Sequence, residues 1–399
     1  MKLTNYIKYY YILDDINVYY TINNFIYIII MKSKIIGGIL LGLSYFNNKK
    51  KRSINLNRKK FYNSWQNFDD IISYIEKLDP SLNIISETIG KTYEGKDIMV
   101  FKRGVDKNNT NKPITLIIGT QHAREWLSPL SCVYILEHIS DDILSSNEIH
   151  VIPVVNVDGY IYSRQIYPRW RKNRQPNNDG SIGTDLNRNW GYKWGLDSGS
   201  SNKEKSYKYR GSAPFSTPEI ASLRDYIAAN DNPSSPQSIG DRMHLFIDIH
   251  TYTAVVTGIW TFTENFSNIE LEQSALGKNA VNKMNNITDR SSNYYEYLSN
   301  FFYLVSGGSV DWTSHICNCW SFVFELGPET SDHGGFFPPE STIFSGCQEA
   351  LAGVESLINQ TAGKKPPDID QISKNREFSN FKKPIKKLCR CGEDMDEEY

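Results

Sequence analysis

The sequence predicts an α/β fold, a single domain with a mixed, mostly parallel central sheet flanked by helices. Two observations predict it. Short apolar runs typical of buried strands recur between residues 98 and 326, and segments with helical spacing or helix caps separate them. The chain of 399 residues is also 40% hydrophobic and 22% charged, which suits a large core and excludes a mostly disordered chain, a collagen and a coiled coil.

The predicted strands and helices alternate along the chain. Apolar runs predict strands at 98–102, 114–119, 149–155, 245–249 and 321–326. Helical spacing predicts a helix at 68–78, and further helices are expected at 126–139, 218–229 and 348–358. Thr217 is a suitable N-cap for the third of these helices, because Pro218 follows it at the first helical position. This alternation is typical of a sheet that is largely parallel or mixed.

Composition divides the chain into three parts. Residues 1–60 form an N-terminal extension with a basic linker, residues 61–362 a globular domain, and residues 363–399 a polar tail that we expect to be disordered. Within the extension, a basic start at 31–34 precedes an apolar run at 35–46, which is the layout of a signal peptide.

Three hypotheses fit this N-terminal layout. Translation starts at Met31 and the protein is secreted, or residues 25–46 are a membrane anchor, or the N-terminus is disordered. Lys32 and Lys34 weaken the anchor hypothesis, because each costs about 2.5–3.5 kcal/mol at a membrane centre. We therefore predict a secreted or extracellular protein, with a vacuolar or membrane-anchored protein as the alternatives.

The charge balance narrows the classes of partner. With 44 Lys and Arg against 45 Asp and Glu, the formal net charge is −1, which argues against a nucleic-acid-binding protein that uses a global positive field. Six cysteines are too few for a disulfide scaffold. We expect a monomer with no stable membrane partner.

Three residues beyond the ends of predicted strands could hold a metal ion. His122 and Glu125 follow the strand at 114–119, and His250 follows the strand at 245–249. Ligands collect beyond the carboxyl ends of the strands in an open α/β sheet. Two His and one Glu make a zinc site with a fourth position free for water. Taken singly, His122 and Glu125 could be a chance pair and His250 a packed histidine.

Two acidic residues could support such a site. Glu325 lies among Phe and Val in the last predicted strand, where a buried carboxylate needs a nearby cation, a bound water or a raised pKa. The alternative interpretation is that Glu325 lies on an edge strand and faces solvent. Asp185 could accept a hydrogen bond from the outer ring nitrogen of a metal-bound His, or it could simply cap a turn.

A basic and aromatic segment follows at 167–174, which could be plain surface charge or a phosphate patch. Asn187 and Arg188 suit a ligand with a free carboxylate, because Arg binds carboxylates through two parallel hydrogen bonds. Tyr303 precedes the glycine-containing segment 306–312, which predicts either a mobile loop that carries this phenol or a simple glycine turn with a surface Tyr.

The ordered set of these residues resembles the zinc carboxypeptidases of the carboxypeptidase A type. The resemblance covers residues from about 61 to 360, so that the globular domain is similar to a zinc carboxypeptidase catalytic domain. It includes the flanking motifs His-Ala-Arg-Glu-Trp at 122–126, Trp-Arg-Lys-Asn-Arg at 170–174, Asp-Leu-Asn-Arg-Asn-Trp at 185–190, His-Thr-Tyr at 250–252, Ser-Gly-Gly-Ser-Val-Asp-Trp at 306–312 and Phe-Glu-Leu at 324–326.

The resemblance implies one Zn²⁺ ion, held by His122, Glu125 and His250, in an enzyme that hydrolyses the C-terminal bond of peptides and proteins. Glu325 would be the general base for the zinc-bound water and would pass the proton to the leaving amine, and Arg171 would stabilise the oxyanion. The residues that would bind substrate are Asn187 and Arg188 at the terminal carboxylate, Tyr303 closing over the bound residue, and Arg124, Thr251, Tyr252 and Phe336 along the next subsite.

The resemblance also implies a substrate preference. Val310 stands at the position that forms the base of the specificity pocket, with Leu298, Phe302, Thr261 and Val323 lining it. An apolar base predicts apolar or aromatic C-terminal residues, although Asp248 is an acid near that wall. Residues 47–60 are too short for the inhibitory pro-domain of the family, and 327–329 read Gly-Pro-Glu where many relatives carry an Arg.

Two alternative functions remain open on the same scaffold. A catalytically silent relative would only bind peptides, but the sequence has lost neither a zinc ligand nor the base. An enzyme for another amide substrate, such as a bacterial wall peptide or a polyglutamate tail, fits less well, because the complete clamp of Asn187 with Arg188 and the apolar Val310 oppose an acidic side-chain preference.

Overall fold

The computed structural model describes residues 12–13, 16–18, 29–31, 61–196, 199–231, 242–263, 266–287, 292–296, 304–367 and 372–373. The chain divides into two units, Met1–Lys60 and Phe61–Tyr399. The first contains a three-stranded antiparallel sheet of β1 (Ile12–Leu13), β2 (Ile16–Val18) and β3 (Ile29–Met31). Apart from Met31, the predicted signal segment at 31–46 lies outside the described residues.

An eight-stranded mixed sheet forms the centre of the second unit, in the order β11-β9-β12-β8-β6-β7-β5-β4. Its strands are β4 (Ile85–Lys91), β5 (Asp97–Arg103), β6 (Ile114–Gly119), β7 (Glu148–Ile152), β8 (Met243–Thr251), β9 (Val255–Thr257), β11 (Tyr295–Glu296) and β12 (Trp320–Leu326). The middle strands β12, β8, β6 and β7 are parallel neighbours, and β4 and β5 pair antiparallel with the strands beside them. On the other side, β9 pairs antiparallel with β12 and parallel with β11. The predicted fold class is confirmed.

Helices flank this sheet. They are α1 (Phe68–Glu76), α2 (Leu127–His138), α3 (Asp141–Ser146), α4 (Val157–Gln165), α5 (Pro218–Asp231), α6 (Asn268–Asn285), α7 (Ser309–Cys317) and α8 (Ile343–Thr361). The four predicted helices are present as α1, α2, α5 and α8. The glycine-containing segment 306–312 differs from the predicted loop, because Gly308 is extended at the N-cap and α7 begins at Ser309. Among the helices of the described residues, none is both long and apolar enough to span a bilayer.

Close packing at the end of β6 fixes the place where the site forms. Every residue of β6 is buried. A Cβ added to Gly119 would lie 2.6 Å from the hydroxyl oxygen of Ser128 in α2, so only glycine lets helix and strand approach this closely. Ser128 Oγ in turn donates a hydrogen bond of 2.5 Å to the carbonyl of Ile249 and accepts one of 3.0 Å from the backbone N–H of Thr120. The ends of β6 and β8 are therefore tied together through one serine.

Part of the predicted tail belongs to the fold. Ile372–Ser373 forms β13, which pairs antiparallel with β10 (Phe266–Ser267), and the indole N–H of Trp320 donates to the carbonyl of Lys364 over 3.0 Å. These contacts use backbone groups, so the polar composition gave no sign of them. The other tail residues after 367 lie outside the described part of the chain.

The described cysteines are not paired. Cys132, Cys317, Cys319 and Cys347 are all buried and free, and burial raises the pKa of the Cys132 thiol well above its ordinary value. These four thiols are packing residues of the core.

Candidate metal centre and active site

Three elements bring the candidate ligands together at the carboxyl ends of the parallel strands. His122 and Glu125 lie in the turn between β6 and α2, and His250 is the penultimate residue of β8. Because Gly119 at the end of β6 pairs with Ile249, the turn after β6 lies beside His250. The sheet register thus joins residues that are far apart in sequence.

The donor atoms of the predicted metal ligands converge in the buried interior. Potential ligand atoms of His122, Glu125 and His250 all lie within 4.8 Å of one another. Glu125 Oε1 lies 2.8 Å from His122 Nδ1, and Glu125 Oε2 lies 2.8 Å from His250 Nδ1. The two Nδ1 atoms are 3.1 Å apart. The three side chains therefore point their donors at a common centre.

The outer nitrogen of each imidazole faces a carboxylate. His122 Nε2 lies 3.1 Å from Asp185 Oδ1, and His250 Nε2 lies 2.9 Å from Asp248 Oδ2. Each outer nitrogen is thus placed to donate its proton, which leaves both Nδ1 lone pairs turned inward, the tautomer that metal-binding histidines adopt. Asp185 also accepts a hydrogen bond of 3.0 Å from the N–H of Asn187, so it caps a turn and contacts the histidine at once.

The electrostatics of the cluster favour a cation at its centre. Burial raises the pKa of the Glu125 carboxyl, but His122 and His250 outweigh it and hold that pKa below its ordinary value. Burial lowers the pKa of His250, but Asp248 and Glu125 outweigh it and hold that pKa well above its ordinary value. A proton and a metal ion compete for the same imidazole lone pair, so the carboxylates that stabilise one would stabilise the other.

The donor set fits zinc. Two imidazoles and one carboxylate, with inward Nδ1 atoms and outer nitrogens bonded to acids, are the ligands of catalytic zinc sites that keep a fourth position open. Among the residues that the structure describes, this is the one group of three His, Cys, Asp or Glu side chains whose donors converge in this way.

Glu325 lies beside the metal ligands on the next strand. It pairs with His250 in the parallel register of β12 and β8, and paired residues project from the same face of a sheet. It is half-buried, so the alternative of a solvent-facing edge residue is wrong: β12 lies between β8 and β9.

Arg171 connects to the same cluster through Asp185. Its Nε and Nη2 atoms donate hydrogen bonds of 3.1 and 2.8 Å to Asp185 Oδ2. Burial raises the pKa of the Asp185 carboxyl, but Arg171, Arg188 and His122 hold it well below its ordinary value. Asp185 is therefore ionised and orients a histidine with one oxygen and an arginine with the other.

The residues predicted to clamp a carboxylate lie next to this cluster. The Asn187 side chain accepts a 2.9 Å hydrogen bond from the N–H of Ser309, and its Nδ2 lies 3.2 Å from His250 Nε2. Arg188 is buried, and its Nε and Nη1 donate to the carbonyls of Gly199 and Asn187 over 2.6 and 2.7 Å.

The four residues predicted for the next subsite lie together on the other side of Glu125. The guanidinium carbon of Arg124 lies 4.1 Å from the centroid of the Phe336 ring, and Phe336 packs edge-on against Tyr252 at 4.8 Å. The N–H of Thr251 donates to Glu125 Oε2 over 3.3 Å. Burial and the nearby Arg171 lower the pKa of Arg124 to about 10, so it remains charged at neutral pH.

Hydrogen bonds occupy three of the four carboxylate oxygens of the acids near the predicted specificity pocket, whereas Asp248 Oδ1 is buried without a partner among the described residues. Besides His250, Asp248 Oδ2 accepts hydrogen bonds from Ser309 Oγ at 2.5 Å and from the amide of Gln121. Asp311 accepts from the N–H and hydroxyl of Thr261, and burial raises its pKa to about 7. Val310 and Val323 are buried, whereas Leu298, Phe302 and Tyr303 lie outside the described residues.

Asp248 is the site residue whose contact the sequence interpretation missed. It was predicted only as an acid near the pocket wall, yet it holds the third ligand. The alternation of side chains along a strand was the available signal, because residues two apart, such as Asp248 and His250, project from the same face.

Comparison with known proteins agrees with this geometry. A family model described as zinc carboxypeptidase matches residues 71–353. The chain is 32% identical over 315 residues to carboxypeptidase B of Astacus astacus, covering 75% of this chain and 97% of that protein. It is 29% identical over 318 residues to carboxypeptidase O of Bos taurus, covering 76% of this chain and 80% of that protein.

A solved structure shares the fold. The structure of bovine thrombin-activatable fibrinolysis inhibitor in complex with tick carboxypeptidase inhibitor matches with a TM-score of 0.67 and 29% identity, covering 76% of this chain and 99% of that chain. The relatives bear the names of B, O and A-like types, so the similarity is to no single type.

Proposed function

The chain belongs to the zinc carboxypeptidase family, and from that premise we propose that it is an active enzyme which removes the C-terminal residue of peptides and proteins. One observation carries the proposal. The donors of His122, Glu125 and His250 converge on one buried centre, and Glu325 projects from the same face of the adjacent strand. A metal with a carboxylate on the adjacent strand suits hydrolysis of an amide.

His122, Glu125 and His250 would hold the zinc ion. When bound, zinc would supply Lewis acidity for the scissile carbonyl and would lower the pKa of water. Glu325 would take a proton from the attacking water and deliver it to the leaving amine. Arg171 would stabilise the negative charge on the carbonyl oxygen, and its bonds to Asp185 would keep the guanidinium in place.

A carboxylate clamp would make the enzyme an exopeptidase. Asn187 and Arg188 would bind the terminal carboxylate of the substrate, because a guanidinium suits a carboxylate and the bonds of Arg188 to the carbonyls of Gly199 and Asn187 use Nε and Nη1 rather than Nη2. Tyr303 would close over the bound residue, as the resemblance to the family implies.

For substrate preference we propose the A type, with apolar or aromatic C-terminal residues. Val310 at the base of the pocket is apolar and buried. Both oxygens of Asp311 are bonded to Thr261, and Asp248 contacts His250 and Ser309 through Oδ2, whereas its buried Oδ1 has no hydrogen-bond partner among the described residues. The proposal therefore rests on the apolar base at Val310, and a Lys or Arg side chain could be satisfied by these two acids only at Asp248 Oδ1.

Peptide release with zinc-loaded protein tests the activity. We expect release of the last residue from an N-terminally blocked peptide ending in Phe, and loss of at least 1,000-fold in kcat for Glu325→Gln, on the order of the combined loss of nucleophile activation and leaving-group protonation. Glu87→Gln, an exposed acid of β4, is the matched control and should keep full activity. Full activity of Glu325→Gln would refute the mechanism, and tight peptide binding with no release by the parent would support the silent alternative.

A peptide series tests the preference. Four peptides that differ only in a terminal Phe, Leu, Lys or Arg should be cleaved fastest with Phe or Leu. Faster release of Lys or Arg would show a basic preference and would refute the A-type proposal.

We also propose that the protein is secreted, which rests on the signal layout at 31–46. N-terminal sequencing of the protein recovered from the medium should show a mature chain that begins after that segment. A mature chain that begins before residue 31 would refute it.

A further inference from the structure

A cationic cavity lies beside the metal centre. It has a volume of about 480 Å³ and shares Arg124 and Arg171 with the candidate active site. Its walls come from α4, from the basic segment that follows α4, and from the turns at 179–182 and 205–207. In the described part of the chain, six cationic side chains line it, namely Arg124, Arg169, Arg171, Lys172, Arg174 and Lys205.

Acids compensate part of this positive charge, since Asp185 binds Arg171 from the side of the metal centre over 2.8 Å. Among the described residues, Asp179 is the one acid that lines the cavity, and it accepts a hydrogen bond of 2.9 Å from the N–H of Ser181. Glu204, which is nearby, accepts instead from the N–H of Asp179 over 2.7 Å. Lys172 Nζ donates to a neutral carbonyl, that of Glu204, over 3.0 Å. A low-dielectric wall with this excess of cations attracts anions.

Arg124 gives the sharpest sign that an anion binds here. Its side chain is 2% exposed, and its Nε and Nη1 atoms have no hydrogen-bond partner among the described residues. Phe336 covers one face of the guanidinium, so the free donors lie along its edge. Unpaired buried donors cost free energy, and a carboxylate satisfies two of them at once.

We propose that this cavity binds an acidic side chain of the substrate, Asp or Glu, located N-terminal to the bond that is cleaved. This inference rests on the proposed function, because a clamp on the terminal carboxylate leaves only the upstream part of the substrate to reach a neighbouring cavity. Arg124 and Arg171 join the two sites, so a peptide held at the metal centre passes directly beside the cationic wall.

A series of matched peptides tests at which substrate position an acidic side chain is preferred. All end in Phe, and each carries either Glu or its neutral isostere Gln at the second, third or fourth position from the end. We expect kcat/KM to favour Glu over Gln on the order of tenfold at one of these positions, with the ratio falling as salt is added. A ratio near one at all three positions, in an enzyme that cleaves the Gln peptides, would overturn the proposal.

Charge-reversal variants test whether the cavity causes the preference for Glu over Gln peptides. Lys205 is exposed at the cavity wall and has no part in the proposed catalysis, so Lys205→Glu should reduce the Glu-to-Gln ratio several-fold without changing cleavage of the Gln peptides. Lys203→Glu makes the same charge change at an exposed residue outside the cavity lining, and should leave the ratio unchanged. Equal effects of both variants would indicate only a general field and would overturn the proposal.

Measurement of peptide binding at equilibrium tests this proposal independently of the proposed catalytic function. Calorimetry with zinc-loaded Glu325→Gln measures the same Glu-to-Gln ratio without hydrolysis, so the cavity is tested even if the parent enzyme proves inactive. Inorganic phosphate is the competing anion in this assay. Phosphate binding that Lys205→Glu weakens, together with no discrimination between the peptides, would assign the cavity to a free anion and overturn the proposal.

Discussion

Replacement of Asp248 by asparagine should weaken zinc binding without unfolding the protein. The Asp248 carboxylate is buried, and its Oδ2 atom lies 2.9 Å from His250 Nε2. Asparagine has nearly the same shape but no charge. It would therefore keep the packing and lose the charge-assisted hydrogen bond that fixes the tautomer of the ligand.

The magnitude follows from two separate estimates. Loss of a carboxylate that orients a metal-bound histidine typically costs 10–100-fold in metal affinity, which is about 1.4–2.7 kcal/mol. A hydrogen bond to a charged group contributes about 1.5–3 kcal/mol. Because the two ranges overlap, we expect the Kd of Asp248→Asn for zinc to rise between 10- and 100-fold.

Competition with a chromogenic zinc chelator at pH 7.5 measures this Kd directly. Ser309→Ala removes a different donor to the same oxygen, 2.5 Å away, and should raise the Kd by less, because the carboxylate and its contact with His250 remain. Asp225→Asn, which removes an exposed acid, should leave the Kd unchanged. If Asp248→Asn binds zinc as tightly as the parent, the carboxylate does not orient the ligand and the reasoning fails.

Three further predictions concern stability. Zinc at 100 times its Kd should raise the free energy of unfolding by about 2.7 kcal/mol, and His122→Ala should lose this gain in a thermal melt. Gly119→Ala should cost about 1–3 kcal/mol in urea unfolding, because the added Cβ would lie 2.6 Å from Ser128 Oγ; an unchanged midpoint would contradict this packing. Burial lowers the pKa of His244, so the unfolded chain takes up a proton below about pH 6.5 that the folded chain resists, and stability falls on acidification. His244→Gln, which can still donate to the Thr361 carbonyl, should lose less stability between pH 7.5 and 5.5 than the parent; equal losses would contradict the cause.

The sequence predicted the central strands well and the peripheral elements poorly. The strand at 114–119 has the predicted bounds, because six consecutive buried residues give an uninterrupted apolar run. The helix α6 (Asn268–Asn285) went unpredicted, because its surface-facing residues dilute the apolar pattern. The strand β9 (Val255–Thr257) has three residues, too few for a periodic signal.

At the site, too, the sequence could predict only residues that stand in a clear local pattern. Glu125 and His250 could be proposed because each follows an apolar strand and has metal-binding chemistry. The hydrogen bond that Asp248 accepts from His250 was harder to propose, since a strand residue among Phe and Ile can equally be interpreted as part of the pocket wall. The lack of hydrogen-bond partners for Arg124 Nε and Nη1 could not be predicted from the sequence, because it depends on the orientation of neighbouring side chains in the folded structure.

The distribution of charge explains why one site would use a metal and its neighbour an acidic side chain. At the centre, Glu125, Asp185 and Asp248 each contact at least one of the two histidines, so carboxylates outnumber the imidazoles that face them. A divalent cation relieves that excess. The cavity beside it has the opposite imbalance, since Asp185 binds Arg171 from the centre side, whereas Nε and Nη1 of Arg124 have no hydrogen-bond partner among the described residues. A peptide that brings a carboxylate to Arg124 would correct this second imbalance just as zinc corrects the first, so the two sites should strengthen each other when both are filled.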